Sequence, residues 1–193
     1  MNANNPALAA SDAEVMLHTR TWLERAVIGL NLCPFAKSVH VKAQVRYAVS
    51  PAQTDSALLD DLEHELRRLV ETPPAEIDTT LLIAPHALED FDDFMRFVDL
   101  AEVVLRTHGL EGILQIASFH PDYMFSEADP DDIANCTNRA PYPILHLLRE
   151  ESLSRATSAF PDAADIYERN IETMQQLGWD GWHALGVTIE KKV

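Results

Sequence analysis

Three short apolar runs, each halted by proline or a turn residue and separated by long amphipathic stretches, constrain the fold of this chain more than any other feature. Gln44 to Val49 alternates Val45, Tyr47 and Val49 against Gln44, Arg46 and Ala48, the period of a strand with one face buried, and Ser50 and Pro51 stop it. Thr79 to Ala84 and Ile113 to Phe119 are short and largely apolar, as buried strands are. Between these runs, Leu58, Leu59, Leu62, Leu66 and Leu69, then Phe91, Phe94, Met95, Val98, Ala101 and Leu105, form the inner stripes of two helices. Pro73 and Pro74 break the first helix and Gly109 ends the second. Strands alternating with helices predict one α/β domain over residues 1–193, with a small mainly parallel or mixed sheet of three or four strands flanked by helices. An α+β sandwich has the same element order and stays open.

The flanking elements are read in the same way. Leu17, Trp22, Leu23, Ala26, Val27 and Leu30 recur at helical spacing from Glu14 to Leu32, with Ser11 and Asp12 as capping candidates and residues 1–12 as a disordered tail. Ile144 to about Thr157 and Asp165 to Leu177 read as two more helices, the second opened by Asp165 and closed by Gly178. Ala184 to Ile189 is expected to add an edge strand.

Composition narrows the function. A net charge of −16 repels phosphates and anionic lipid, so nucleic acid and membrane partners are not expected, whereas an anionic small molecule can still find a local cationic pocket. No run approaches the roughly 20 apolar residues of a membrane helix. The N-terminal residues lack the basic start and apolar core of a secretory signal, so a cytoplasmic location is expected. The two cysteines, without CxxC or paired Cys/His spacing, imply reduced thiols rather than disulfides or structural zinc.

Chemistry is expected where strands run into loops, the usual place for ligands in α/β sheets. Two strands run into histidine, at His86 and His120; His86 reads as an ordinary exposed loop residue. His120 opens a long polar loop, Asp122 to Pro141, and a connection of that length without regular structure is usually a lid or binding loop. The loop carries Asp122, Tyr123, Asp129, Asp131, Asp132, Asn138 and Arg139. If Ile144 to Thr157 is a helix, its apolar residues spread round most of the circumference, so it is buried, and His146, Arg149 and Glu150 share one side of it. Arg149, Glu150, Glu151 and Arg155 read equally well as a structural ion-pair network.

Cys33 is a further candidate. It sits in LNLCPFAK, with Lys37, His40 and Lys42 near enough in sequence to lower a thiol pKa, although a small buried hydrophobe is the commoner role. Its Cys-Pro-Phe string is similar to the glutaredoxin thiol motif, but there the motif follows a strand, and here a helical stretch precedes it. Cys136, in the polar loop, is expected to be accessible without special activation.

The strings LNLCPFA, QIASFHPDYMF, TNRAPYPILHLLREES and ERNIETMQQLGW together resemble a bacterial family known as domain of unknown function 1415, over Trp22 to Trp179. The resemblance implies a bacterial cytosolic domain and carries no reaction, cofactor or catalytic residue with it. The residues themselves favour an enzyme or sensor for an anionic small molecule, with Arg139 and Arg149 gripping a carboxylate or phosphate and His120 or His146 moving a proton. One alternative is a metal-dependent hydrolase using His120, Asp122, His146 and Glu150. A thiol activity at Cys33 and a non-catalytic interaction module meeting a basic partner complete the set. Cofactor and oligomeric state are left open.

Overall fold

Four strands form one open sheet in the order β1-β2-β4-β3: β1 (Val45–Val49), β2 (Thr79–Ile83), β3 (Leu114–Phe119) and β4 (Ile144–Arg149). This computed structural model describes residues 10–126, 128–158 and 166–189. β1 pairs parallel with β2, and β4 pairs antiparallel with both β2 and β3. The three runs that alternate with helices therefore all point the same way, and the fourth strand is inserted against them between β2 and β3. The sheet is mixed and flanked by helices.

That inserted strand corrects the helix expected from Ile144 to about Thr157. Residues Ile144–Arg149 are strand, and only Glu150–Ser158 (α5) is helix. The expected edge strand from Ala184 to Ile189 does not form; Ala184 ends helix α6 (Ile166–Ala184) and the residues after it are irregular, with Val187 buried. Gly178, with φ 63° and ψ 176°, is non-helical and divides α6 in two, so the helix expected to close there does so and a second helical segment continues to Ala184; glycine adopts this left-handed backbone without a steric penalty. Asp165, proposed to open this helix, lies outside the described residues, as do residues 1–9 of the expected tail. Ser11, expected both in the tail and as a cap, caps α1 (Asp12–Trp22) in a reciprocal arrangement with Glu14.

Helices α3 (Asp55–Glu71) and α4 (Phe91–Thr107) cover one sheet face, packing Leu58, Leu62, Leu66, Phe94 and Phe97 against Leu82, Leu145 and Leu147. Arg46 on β1 forks onto Glu65 of α3 at 2.6 and 2.9 Å, and Glu65 is only 5% exposed, so helix and strand are tied by a nearly dry ion pair. The other face carries α1, α6 and a single stretch of π-helix, Leu23–Ile28, over Leu81, Ile83 and Ile144. The expected continuous helix to Leu32 thus widens at Leu23, where Gly29 N–H reaches back five residues to Glu24 C=O at 3.0 Å. A short helix α2 (Ala36–Val41), not foreseen, follows the Cys33-Pro34 turn. Among the described residues no helix is long and apolar enough to cross a membrane.

Candidate functional site

Eight of the nine candidate side chains fall into two groups. His120, Asp122, Tyr123, Asn138 and Arg139 belong to the connection between β3 and β4, which a short 3-10 helix (Ile133–Thr137) folds back on itself. His120 is fully buried: its Nδ1 accepts from the Asp122 N–H at 3.0 Å, so Nε2 carries the proton and donates to the Leu88 carbonyl at 3.0 Å. Phe91 and Phe94 stack at 5.4 and 5.0 Å from its ring centroid. Arg139 donates from Nε to the Tyr123 carbonyl at 3.1 Å and from Nη2 to Pro130 at 3.1 Å, with its guanidinium 5.7 Å from the Trp179 ring centroid. Asn138 Nδ2 donates to the Ser118 carbonyl at 3.3 Å, and buried Asn135 bridges the Phe125 N–H and the Asp129 carbonyl. These groups hold the loop's own backbone, whose polar atoms must be paired when they leave water.

The second group faces a cavity of about 600 Å³ on the π-helix side of the sheet. Cys33, His146 and Arg149 all line it; Glu150 does not. Its floor and walls are apolar, built from Trp22, Leu23, Val27, Leu81, Phe119 and Leu148, and Lys42, Asp78, Ser152, Arg149 and Arg155 supply polar and charged groups.

His146 owes its place to the strand. Alternation puts it on the same face as Ile144 and Leu148, opposite Leu81 and Ala117 of the neighbouring strands. Its Nε2 is 2.6 Å from Thr79 Oγ1, which lies 2.7 Å from the Leu147 carbonyl. The hydroxyl has one proton and gives it to the carbonyl, so Thr79 accepts from Nε2–H and the imidazole is held in the Nε2–H tautomer. Nδ1 then keeps its lone pair, and no side chain or backbone group among the described residues hydrogen-bonds to it. Burial pushes the His146 pKa down to about 4, so at neutral pH the ring is an uncharged base.

Arg149 is partly committed. Its Nε and Nη2 donate to the carbonyls of Ile77 and Thr72, and Nη2 also reaches Leu69, so the guanidinium closes the C-terminus of α3. Among the described residues, Nη1 has no such carbonyl partner. Arg155 is exposed and pairs with Glu151 at 3.0 Å, the i, i+4 contact read from the sequence.

Burial governs both thiols, in line with the commoner role expected of Cys33 and against the accessibility expected of Cys136. Cys33 sits at the turn into α2, with the Phe35 and Ala36 N–H groups directed at its sulfur, yet burial outweighs them and its pKa is raised, not lowered. The nearby cations do not supply the expected field: Lys37 is exposed, and His40 faces Glu24 at 3.3 Å. Cys136 is fully buried rather than accessible, and burial lifts its pKa to about 11.

A family model described as a protein of unknown function, DUF1415, matches residues 14–184. The chain belongs to the DUF1415 family. No curated protein and no solved structure matches it. The family match spans α1 to the end of α6, so in this DUF1415 chain both the loop cluster and the cavity lie inside the matched region.

The helical reading of β4 placed His146 and Glu150 one turn apart for a metal; in a strand followed by a helix start, that spacing no longer aligns them. Among the described residues no group of three or more His, Cys, Asp or Glu is placed to hold a metal ion. Sequence reasoning missed Thr79, Asp78 and Ser152. Thr79 carried the one available signal, a hydroxyl inside the apolar run TTLLIA, since a buried hydroxyl has to find a partner.

Proposed function

We propose that the cavity between the π-helix, α2, α5 and the sheet binds a small molecule with an apolar body and an anionic end. The observation that carries the reading is His146 Nδ1, an uncharged acceptor with no hydrogen-bond partner among the described residues, lining an apolar cavity that Arg149, Lys42 and Arg155 also border. A volume near 600 Å³ suits a ligand of drug-like size, and a few polar groups in an otherwise apolar lining are what fix such a ligand's orientation. Arg149 Nη1 supplies a planar cation for a carboxylate, and His146 supplies the proton acceptor of an enzyme or the recognition element of a sensor.

Of the residues expected to form an anion site, this reading keeps His146 and Arg149 and leaves out His120 and Arg139. The test is a thermal scan with hexanoate, benzoate and inorganic phosphate. A ligand that prefers the folded state raises the melting temperature by mass action. The carboxylates with apolar bodies should raise it more than phosphate does, Leu148→Trp should abolish the rise by filling the cavity, and Arg139→Met should leave the rise intact. No shift with either carboxylate, or a shift that survives Leu148→Trp, overturns the reading.

A further inference from the structure

The cavity holds a second reactive group besides the imidazole. Cys33 is half-buried where the π-helix gives way to α2, and it lines the same space as His146. His146 in turn is oriented by Thr79, which is oriented by the Leu147 carbonyl. A nucleophile, a base with a free lone pair and a third group fixing the base's tautomer are the three parts of covalent acyl transfer. We propose that Cys33 is the nucleophile of a thiol-dependent hydrolase acting on an ester or thioester of an apolar carboxylic acid, with His146 Nδ1 as its proton carrier.

The proposal rests on the cavity being a ligand site, and it names the substrate class. Cys33 Sγ attacks the acyl carbonyl carbon while its proton passes to His146 Nδ1. The carbon–oxygen or carbon–sulfur bond to the leaving group breaks, and the imidazolium returns the proton to that group. A water molecule then gives a proton to the same Nδ1 as its oxygen attacks the thioester; the bond to Cys33 breaks, the sulfur recovers the proton, and a carboxylate leaves. That product has an apolar body and an anionic end, the chemistry the cavity lining suits. Burial raises the thiol and lowers the imidazole, so the resting pair is neutral and the proton moves during attack rather than before it. Cys136, enclosed in the loop cluster away from the cavity, is the built-in control.

The experiment uses the full chain with p-nitrophenyl hexanoate and, in a second arm, the hexanoyl thioester of N-acetylcysteamine, following product release and intact mass. Wild type should release p-nitrophenolate in a burst and gain one hexanoyl group on Cys33, and the arm turned over faster identifies the leaving group. Cys33→Ala should lose activity and adduct; Cys33→Ser, a smaller change, serves if the alanine variant fails to fold. Cys136→Ala should behave as wild type. His146→Gln should lower the acylation rate by about 100-fold or more and move its pH profile into the alkaline range where the thiol ionises unaided. An adduct on Cys136, or equal rates for wild type and Cys33→Ala, overturns the proposal. If hexanoate stabilises wild type but neither acyl donor marks Cys33, the binding reading stands and the thiol chemistry falls. If Cys33 is acylated while hexanoate stabilises nothing, the anion-binding reading falls and the thiol chemistry stands.

Discussion

The loop cluster around His120 and the cavity around His146 use the same residue types in opposite ways. Each has a histidine, an arginine, a cysteine and a nearby aromatic, but at His120 both ring nitrogens meet backbone partners, whereas at His146 one meets the Thr79 hydroxyl and the other, among the described residues, meets none. Arg139 and Arg149 differ less, since both donate to carbonyls; what separates them is that Arg149 also borders the open space. Residue type marks where polar groups are buried. Whether they are saturated decides which burial holds a fold and which leaves chemistry to spare.

The comparison breaks first at His120. His120→Ala removes two backbone partners and an aromatic contact from a fully buried site, and by analogy with aromatic truncations in cores should cost roughly 3–5 kcal/mol in a urea titration. His146→Gln should cost clearly less, because it gives up one hydrogen bond, to Thr79, and one ring contact, with Phe119, against two of each at His120. Equal losses would show that the two histidines are both structural and would remove the distinction.

Arg149→Met is expected to lower stability by about 1–3 kcal/mol, since it strips donors from the Leu69, Thr72 and Ile77 carbonyls at the end of α3. The same variant should weaken the hexanoate-induced rise in melting temperature, which Arg139→Met should not. A stability loss without any change in that rise would assign Arg149 to the fold alone.

A further effect at His146 depends on pH. The folded pKa of His146, about 4, lies below the ~6.5 of an unfolded histidine, so the unfolded chain binds more protons between these values and stability rises with pH there. The contribution is complete above about pH 6.5 and is lost as pH falls towards 4. Denaturation curves at several pH values should show a shallower slope in this window for His146→Gln than for wild type. An unchanged slope would mean that His146 is solvated and charged more easily than its surroundings imply.

The smallest effect belongs to the exposed pair on α5. Glu151→Gln should change stability by less than about 0.5 kcal/mol, because water screens the contact with Arg155. A larger loss would indicate that Arg155 is held in place for the cavity rather than left to solvent.

The alternating half of the molecule was legible because β1 to β3 and α3 to α4 carry distinct periods and hard stops such as Pro51, Pro73 and Gly109. β4 was not. Flanked by β2 and β3 and covered on both faces, it presents Ile144, Leu145 and Leu147 as one apolar run without alternation, and its leucines, spaced like a helix stripe, run straight into the true helix at Glu150. The error moved the site as well: on a helix, His146 shares a face with Glu150, whereas in the strand it turns towards Thr79 and Leu81. The cavity was invisible for another reason. Its walls come from segments as far apart as Trp22 and Ala156, and no local pattern records their meeting.

Helix α5 buries none of its residues fully, yet Ser152, Leu153, Arg155 and Ala156 border the cavity, and Ser152 holds it to Asp78 at 2.7 Å. A helix with so little enclosed surface sits at the low end of local unfolding free energies. Its amides should exchange hydrogen for deuterium faster than those of β4, and an occupant touching Leu153 and Ala156 should slow that exchange. The part of the molecule least secured by its own core is thereby the part whose exchange rate most directly records occupancy.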